Sequence, residues 1–161
     1  MNNNKIYELT QDGVDKLKNE LTDLIDNKRP QNLIFLKEAR EQGDLSENAD
    51  YDAARNEQSK IETRIIEIEN ILKNTKIIRL SNKDIVEIGK VVEVEHLDQG
   101  KVAKYYLVGT IEANPMKKKI SVDSPLGKAL IGHEKGDVLS YKSPTGKTFS
   151  IKILDVLNEN L

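Results

Sequence analysis

The chain has no cysteine, which removes disulfide cross-links, a thiolate nucleophile and any cysteine-based zinc centre from consideration. Its two histidines are too few for a histidine-rich metal site. Tryptophan is absent, so an aromatic pocket in the C-terminal half would have to be assembled from Tyr105, Tyr106, Tyr141 and Phe149. The opening stretch MNNNKIYELT has no apolar core of the kind a secretion signal carries, and no run approaches the ~18 apolar residues of a spanning helix. A soluble, cytoplasmic protein is the expectation. Hydrophobic residues are also scarce, at 37%, so either the core is small or part of the chain is elongated.

Charge, in contrast, is plentiful. Charged side chains make up 32% of the sequence, and the 25 basic and 27 acidic residues nearly cancel, which argues against wholesale nucleic-acid binding and against an acidic tail. Their distribution is uneven. Residues 1–75 hold 11 basic and 16 acidic side chains, whereas residues 76–161 hold 14 and 11, so the two halves differ in sign.

Thr10 and Asp12 precede an apolar pattern at Val14, Leu17, Leu21 and Leu24, the three-four alternation of a helical seam, and either residue can cap its start. Pro30 interrupts the pattern and predicts a kink near residues 28–30. The pattern resumes at Leu33, Ile34, Leu36 and Ala39 and stops at Gly43, a residue suited to a C-terminal cap. A second seam follows at Tyr51, Ala54, Gln58, Ile61, Ile65, Ile68 and Leu72. Two such arms with a short polar link predict an antiparallel coiled coil, each arm about 40 Å long at 1.5 Å per residue.

From about residue 74 the period changes. Short β-branched or aromatic runs at residues 77–80, 90–95, 105–108, 119–122, 138–141 and 148–154 alternate with Gly, Pro, Asn and Asp, and residues 126–131 suit one short helix. The class expected is α+β, with a two-helix coiled coil over residues 1–76 and a small twisted β-sheet domain with one short helix over residues 77–161. Residues 74–84 form the joint. The run Lys117-Lys118-Lys119 has the look of a solvated hairpin rather than a binding site.

Between the two arms lies EAREQGDLSENADYD, residues 38–52, with six carboxylates (Glu38, Glu41, Asp44, Glu47, Asp50, Asp52) and one cation, Arg40. Like charges crowded at the end of a hairpin repel one another and add nothing to folding. Asp44 and Glu47 suit helix caps or first-turn acids, and Ser46 a capping hydroxyl. Asn48 suits side-chain to backbone bonds within the tip, and Tyr51 suits packing or stacking on a neighbour.

The tip string, with Leu9-Thr-Gln-Asp-Gly13, Lys16-Leu-Lys-Asn-Glu-Leu21, Arg29-Pro30, Ser124-Pro-Leu-Gly127 and Ala129-Leu-Ile-Gly132, resembles the GreA/GreB family of bacterial transcript cleavage factors over nearly the whole chain. The resemblance implies an FKBP-like C-terminal domain that docks on RNA polymerase near the rim of its secondary channel. It also implies a coiled coil that reaches the active centre, where the factor stimulates Mg²⁺-dependent cleavage of the backtracked RNA 3′ end so that elongation resumes. The nuclease activity is the polymerase's own, so the factor is not expected to be an enzyme by itself, nor to hold metal tightly alone; it is expected to be a monomer.

In that reading Asp44 and Glu47 match the metal-directed pair that completes a weakly held Mg²⁺ and orients water. Arg40 and Arg55 match a basic patch facing the RNA, with Lys37 and Arg64 as weaker candidates. Pairing of both arginines with Glu38, Glu41 or Asp52 is the plain alternative. Two further functions compete with transcript cleavage. One is a channel-blocking relative that lacks cleavage activity, whose tips depart from the Asp-Leu-Ser-Glu-Asn-Ala retained here. The other is an FKBP-like prolyl isomerase or chaperone, although fold alone does not give activity.

Overall fold

The computed structural model describes residues 5–44 and 48–158. Among the described residues the elements run in the order β1 (Tyr7–Leu9), α1 (Gln11–Asp23), a π-helical turn (Leu24–Lys28), α2 (Arg29–Glu41), α3 (Ala49–Lys73), β2 (Thr75–Ile77), β3 (Val91–His96), β4 (Lys101–Val108), 3-10 turns at Thr110–Glu112 and Pro115–Lys117, β5 (Lys119–Ser121), α4 (Pro125–Leu130), β6 (Val138–Lys142) and β7 (Thr148–Leu157). They fall into two compact units. One comprises Val14–Thr75, and the other joins Tyr7–Gly13 to the chain from Lys76 onward. The α+β class and the order of hairpin then sheet agree with the sequence reading. The boundary drawn between residues 76 and 77 falls at Thr75/Lys76, and Tyr7–Gly13, placed by sequence with the coiled coil, goes with the sheet.

The first unit is a helical hairpin. Its two arms run antiparallel, because partners on α3 fall in number as those on the first arm rise: Glu20 meets Arg64, Asn32 meets Ala54 and Ala39 meets Asn48. The seam of the first arm begins at Val14 and Leu17, both buried, and passes through half-buried Leu21 and Leu24. A strict three-four repeat would continue at residues 28, 31, 35 and 38. The buried positions are instead Asn32, Leu36 and Ala39, one residue later.

The π-helical turn accounts for that shift. Its wide ring, closed by the Arg29 N–H on the Leu24 carbonyl, takes in one extra residue and delays the seam by one position. It lies directly before Pro30, which has no amide to give to the preceding turn. The kink expected at residues 28–30 is thus taken up as a π turn within a continuous helical run. Leu33 and Ile34, assigned to the seam by sequence, are corrected to the outer face, where both are exposed together with Phe35.

On α3 the seam is Ala54, Ile61, Ile65, Ile68 and Ile71, with Tyr51, Gln58 and Leu72 half-buried beside it. Two bidentate ion pairs brace the stem from outside. Arg29 donates to both Glu62 oxygens at 2.7 and 2.9 Å, and Arg64 donates to both Glu20 oxygens at 2.6 and 3.0 Å and to Glu67 at 2.8 Å. Inside it, Asn32 is 5% exposed and donates to the Ala54 carbonyl at 3.0 Å, a buried polar contact that disfavours sliding of one arm along the other.

The second unit holds a mixed five-stranded sheet in the order β5-β4-β3-β7-β6, antiparallel except for the parallel β4/β5 pair. Between Glu93 and Val94 the β3/β7 register slips past Leu154, a bulge that bends the sheet. On one face α4 inserts Leu126 and Leu130 against Val92, Val94, Leu107, Ile151 and Ile153, which form the core. Ser124 caps α4 by accepting from the Gly127 N–H at 3.1 Å. Gly127 must lack a side chain, since a Cβ there would lie 2.0 Å from the Ser121 carbonyl oxygen.

Tyr7–Gly13 completes this unit. β1 pairs with β2, and Glu112 accepts from the Thr10 amide at 2.9 Å and from the Thr10 hydroxyl at 2.6 Å. Thr10 in turn accepts from the Gly13 N–H at 3.1 Å and so is the cap of α1. Lys90, 1% exposed, is the one charged side chain among the buried residues described; it donates to the Lys83 carbonyl and lies 3.9 Å from Glu87, which Ser81 holds at 2.6 Å.

Candidate functional site

The tip is built from the last turn of α2 and the first turn of α3. α2 ends through Gln42, whose N–H reaches the Ala39 carbonyl at 3.4 Å. The chain then leaves through Gly43 at φ +123, a conformation side-chain-bearing residues rarely adopt. Asp44 follows and is exposed. Leu45, Ser46 and Glu47 lie outside the described residues, so the assignments of Glu47 to metal and Ser46 to capping rest on the sequence.

Asn48 opens α3. Its side-chain oxygen accepts from the Tyr51 N–H at 3.0 Å, the N-cap bond, and its amide group donates to the Ala39 carbonyl at 2.7 Å. That second bond ties the start of α3 to the end of α2 and closes the tip across its base. Ala39 is 3% exposed, so the carbonyl it satisfies sits where the arms come together. Asp50 and Asp52 occupy the first turn of α3, where the helix dipole favours negative charge.

Arg40 lies with its guanidinium carbon 5.9 Å from the centre of the Tyr51 ring, a cation–π contact that joins the arms again. Neither Arg40 nor Arg55 has a carboxylate of the described residues within 4.0 Å, so the pairing with Glu38, Glu41 or Asp52 is not seen among them. Arg55 and Lys37 are exposed. Arg64 is a different case. Its ion pairs with Glu20 and Glu67 commit it to the stem, which accounts for its placement away from the tip surface for which it was a weaker candidate.

No group of three or more His, Cys, Asp or Glu side chains able to hold a metal ion exists among the described residues. The donor chemistry at the tip nevertheless suits a hard divalent cation. An exposed carboxylate, Asp44, stands at the far end of a braced stem, and Mg²⁺ takes one or two carboxylates while other groups and water supply the rest. The side-chain to backbone bonding read for Asn48 is present, with Ala39 and Tyr51 as its partners, whereas sequence reading missed the two arginine braces. The spacing of Arg29 and Glu62, or Glu20 and Arg64, gives no local signal, because the partners are 33 and 44 residues apart.

Stem, clasp and acidic tip, in a chain that also folds a mixed sheet, define a two-unit protein with a cluster of carboxylates at the end of its helical hairpin. Two models of one family match it end to end: the N-terminal model of transcription elongation factors over residues 7–77 and the C-terminal GreA/GreB model over residues 81–158. The chain belongs to the GreA/GreB family of transcription elongation factors. The transcription elongation factor GreA of Acholeplasma laidlawii is 58% identical over 154 residues, 95% of this chain and 98% of that protein. GreA of Mycoplasmopsis pulmonis is 46% identical over 153 residues, 95% and 96% of the two chains. Among solved structures, GreA factor homolog 1 of Thermus thermophilus matches at 31% identity and a TM-score of 0.44, over 95% of this chain and 99% of that one. Among the described residues no helix is long and apolar enough to cross a membrane.

Proposed function

We propose that this elongation factor inserts its hairpin into the secondary channel of RNA polymerase and stimulates the polymerase to hydrolyse the 3′ segment of backtracked RNA. Asp44, exposed at the end of the braced and clasped stem within the Asp44-Leu-Ser-Glu-Asn-Ala motif, is the observation that carries this reading. Asp44 and Glu47 would hold a Mg²⁺ together with polymerase carboxylates and an RNA phosphate, and that ion would supply activation of water and neutralisation of charge. The two carboxylates accept hydrogen bonds from that water and fix its line of attack on phosphorus. A bond from the water oxygen to phosphorus forms, the bond to the 3′ oxygen breaks, and the leaving oxygen takes up a proton to become the new 3′ hydroxyl. Arg40, steered by the Tyr51 ring, and Arg55 offer guanidinium groups to the phosphates of the extruded strand.

The sheet unit docks on the polymerase, and the protein works as a cytoplasmic monomer. A backtracked elongation complex supplemented with Mg²⁺ tests the assignment. Asp44→Ala and Glu47→Ala are each expected to lower the cleavage rate by about 100-fold or more, the usual scale for a lost metal-directed group. Cleavage at the wild-type rate by both variants, or a wild-type block of nucleotide addition without cleavage, would overturn it.

A further inference from the structure

The face of the sheet that carries α4 extends beyond that helix. At its far end the ends of β3, β4, β6 and β7 form an open cup of about 380 Å³, and no residue of α4 lines it. Four of its lining residues are rings: His96, Tyr105, Tyr141 and Phe149. Tyr141 and Phe149 stack with centroids 5.6 Å apart and planes 26° from parallel, and His96 meets Tyr105 edge-on with Nε2 2.8 Å from the phenol oxygen. Lys101 and Lys118 stand in the wall, and none of the described residues lining it is acidic, although the Asp98 carboxylate, which accepts from the Ser150 N–H at 2.9 Å, is near enough to act on the Tyr141 phenol.

Lys118, assigned from sequence to a solvated run, has φ 58, the only positive φ of a non-glycine residue described, and its ammonium stands 5.6 Å from the Tyr105 ring centre. Neither Lys101 nor Lys118 pairs with a carboxylate of the described residues. Burial raises the phenols of Tyr105 and Tyr141, keeping both protonated as donors at neutral pH.

A volume of this size suits one compact planar ligand rather than a run of peptide. Rings that can receive a flat aromatic group stand beside two cations that can receive an anion, and the side-chain amide of Gln99 stands by for a polar ring edge. We propose that this cup binds a nucleotide unit, with the base against the Tyr141 and Phe149 rings and the phosphate facing Lys101 and Lys118. The unit comes either from a free mononucleotide or from single-stranded RNA, which share this chemistry.

The full chain, without polymerase, is titrated with adenosine 5′-monophosphate, adenosine, inorganic phosphate, a short oligoadenylate and a Glu/Phe peptide while ring and amide resonances are followed by NMR. Adenosine 5′-monophosphate is expected to shift the Tyr141 and Phe149 ring signals with a Kd of about 1 mM or tighter, at least about tenfold below that of adenosine or phosphate alone. Lys101→Glu with Lys118→Glu is expected to weaken binding at least about tenfold while the core amide shifts of β3 and β7 stay in place. Tighter binding of the oligoadenylate than of the mononucleotide assigns the source to RNA, and the reverse assigns it to free nucleotide. Silence of both nucleotide probes, binding indifferent to the double variant, or binding of the peptide alone would overturn the proposal. Asp44→Ala and Glu47→Ala leave this binding intact, so its failure and failure of the cleavage reading are read separately.

Discussion

Asn48 uses both ends of its amide, accepting from Tyr51 on its own helix and donating to Ala39 on the other. Alanine there removes the cap and opens the clasp. Asn48→Ala is expected to lower stability by about 1–2 kcal/mol in urea unfolding, and Asn48→Asp, which keeps the acceptor but not the donor, should recover only the capping part. Equal stability of all three proteins would show that the bond to Ala39 contributes nothing. That Asn48 bonds to nearby backbone was legible in the sequence, because a short polar side chain before a helical pattern is a local signal. Its donor bond was not, since Ala39 enters only once the arms have closed. The same limit applies to Arg64, an arginine on an exposed face until Glu20 is brought to it from the other arm.

At the scale of the elements, the seam of α3 could be read almost residue by residue, because an unbroken α-helix keeps its period. The first arm was read at Val14, Leu17, Leu36 and Ala39, all buried, but not at Leu33 and Ile34, since a proline predicts a disturbance without stating its geometry, and the single added residue moved the strict repeat from Gln31 and Phe35 to Asn32 and Leu36. The ion pairs that brace the arms carry a pH dependence. Hydrogen bonds from Arg64 and Arg29 hold the Glu20 and Glu62 carboxyls below the usual range. Their contribution is complete above the ordinary value of about 4.3 and is lost as pH falls through the depressed folded values. The urea midpoint for loss of helix should therefore drop below that pH, and Glu20→Gln with Glu62→Gln should flatten the drop. An unchanged slope in the double variant would assign the acid sensitivity elsewhere.

For the whole molecule, the five strands of the mixed sheet and one helix were legible as alternating β-branched segments and turns, whereas the run read at residues 77–80 meets the strand Thr75–Ile77 at Ile77 alone. The return of Tyr7–Gly13 to the sheet was not. A three-residue strand is too short to show a period, and its anchor, Glu112, lies 102 residues from Thr10. A fragment beginning at Ile77, the boundary a sequence reading invites, lacks β1 and both Thr10 bonds. Its β3 and β4 amides are expected to exchange with solvent faster than in the full chain, and equal protection would show that Tyr7–Gly13 adds no stability to the unit. At the tip, the choice of Asp44 and Glu47 rests on the sequence, whereas the clasp and the Arg40–Tyr51 contact required the arms to be joined.

The π turn near the middle of the first arm also sets a bearing. Each residue of a helix advances the chain by about 100° around its axis, so one residue more or fewer between Leu24 and Lys28 would rotate everything beyond it by more than a quarter circle. Ala39 would then turn from Asn48, and Arg40 and Asp44 would leave the stem on another azimuth. The direction in which the tip presents its charges is thus fixed well before the tip begins, in the turn Leu24–Lys28, by a single uncounted step in the helical winding.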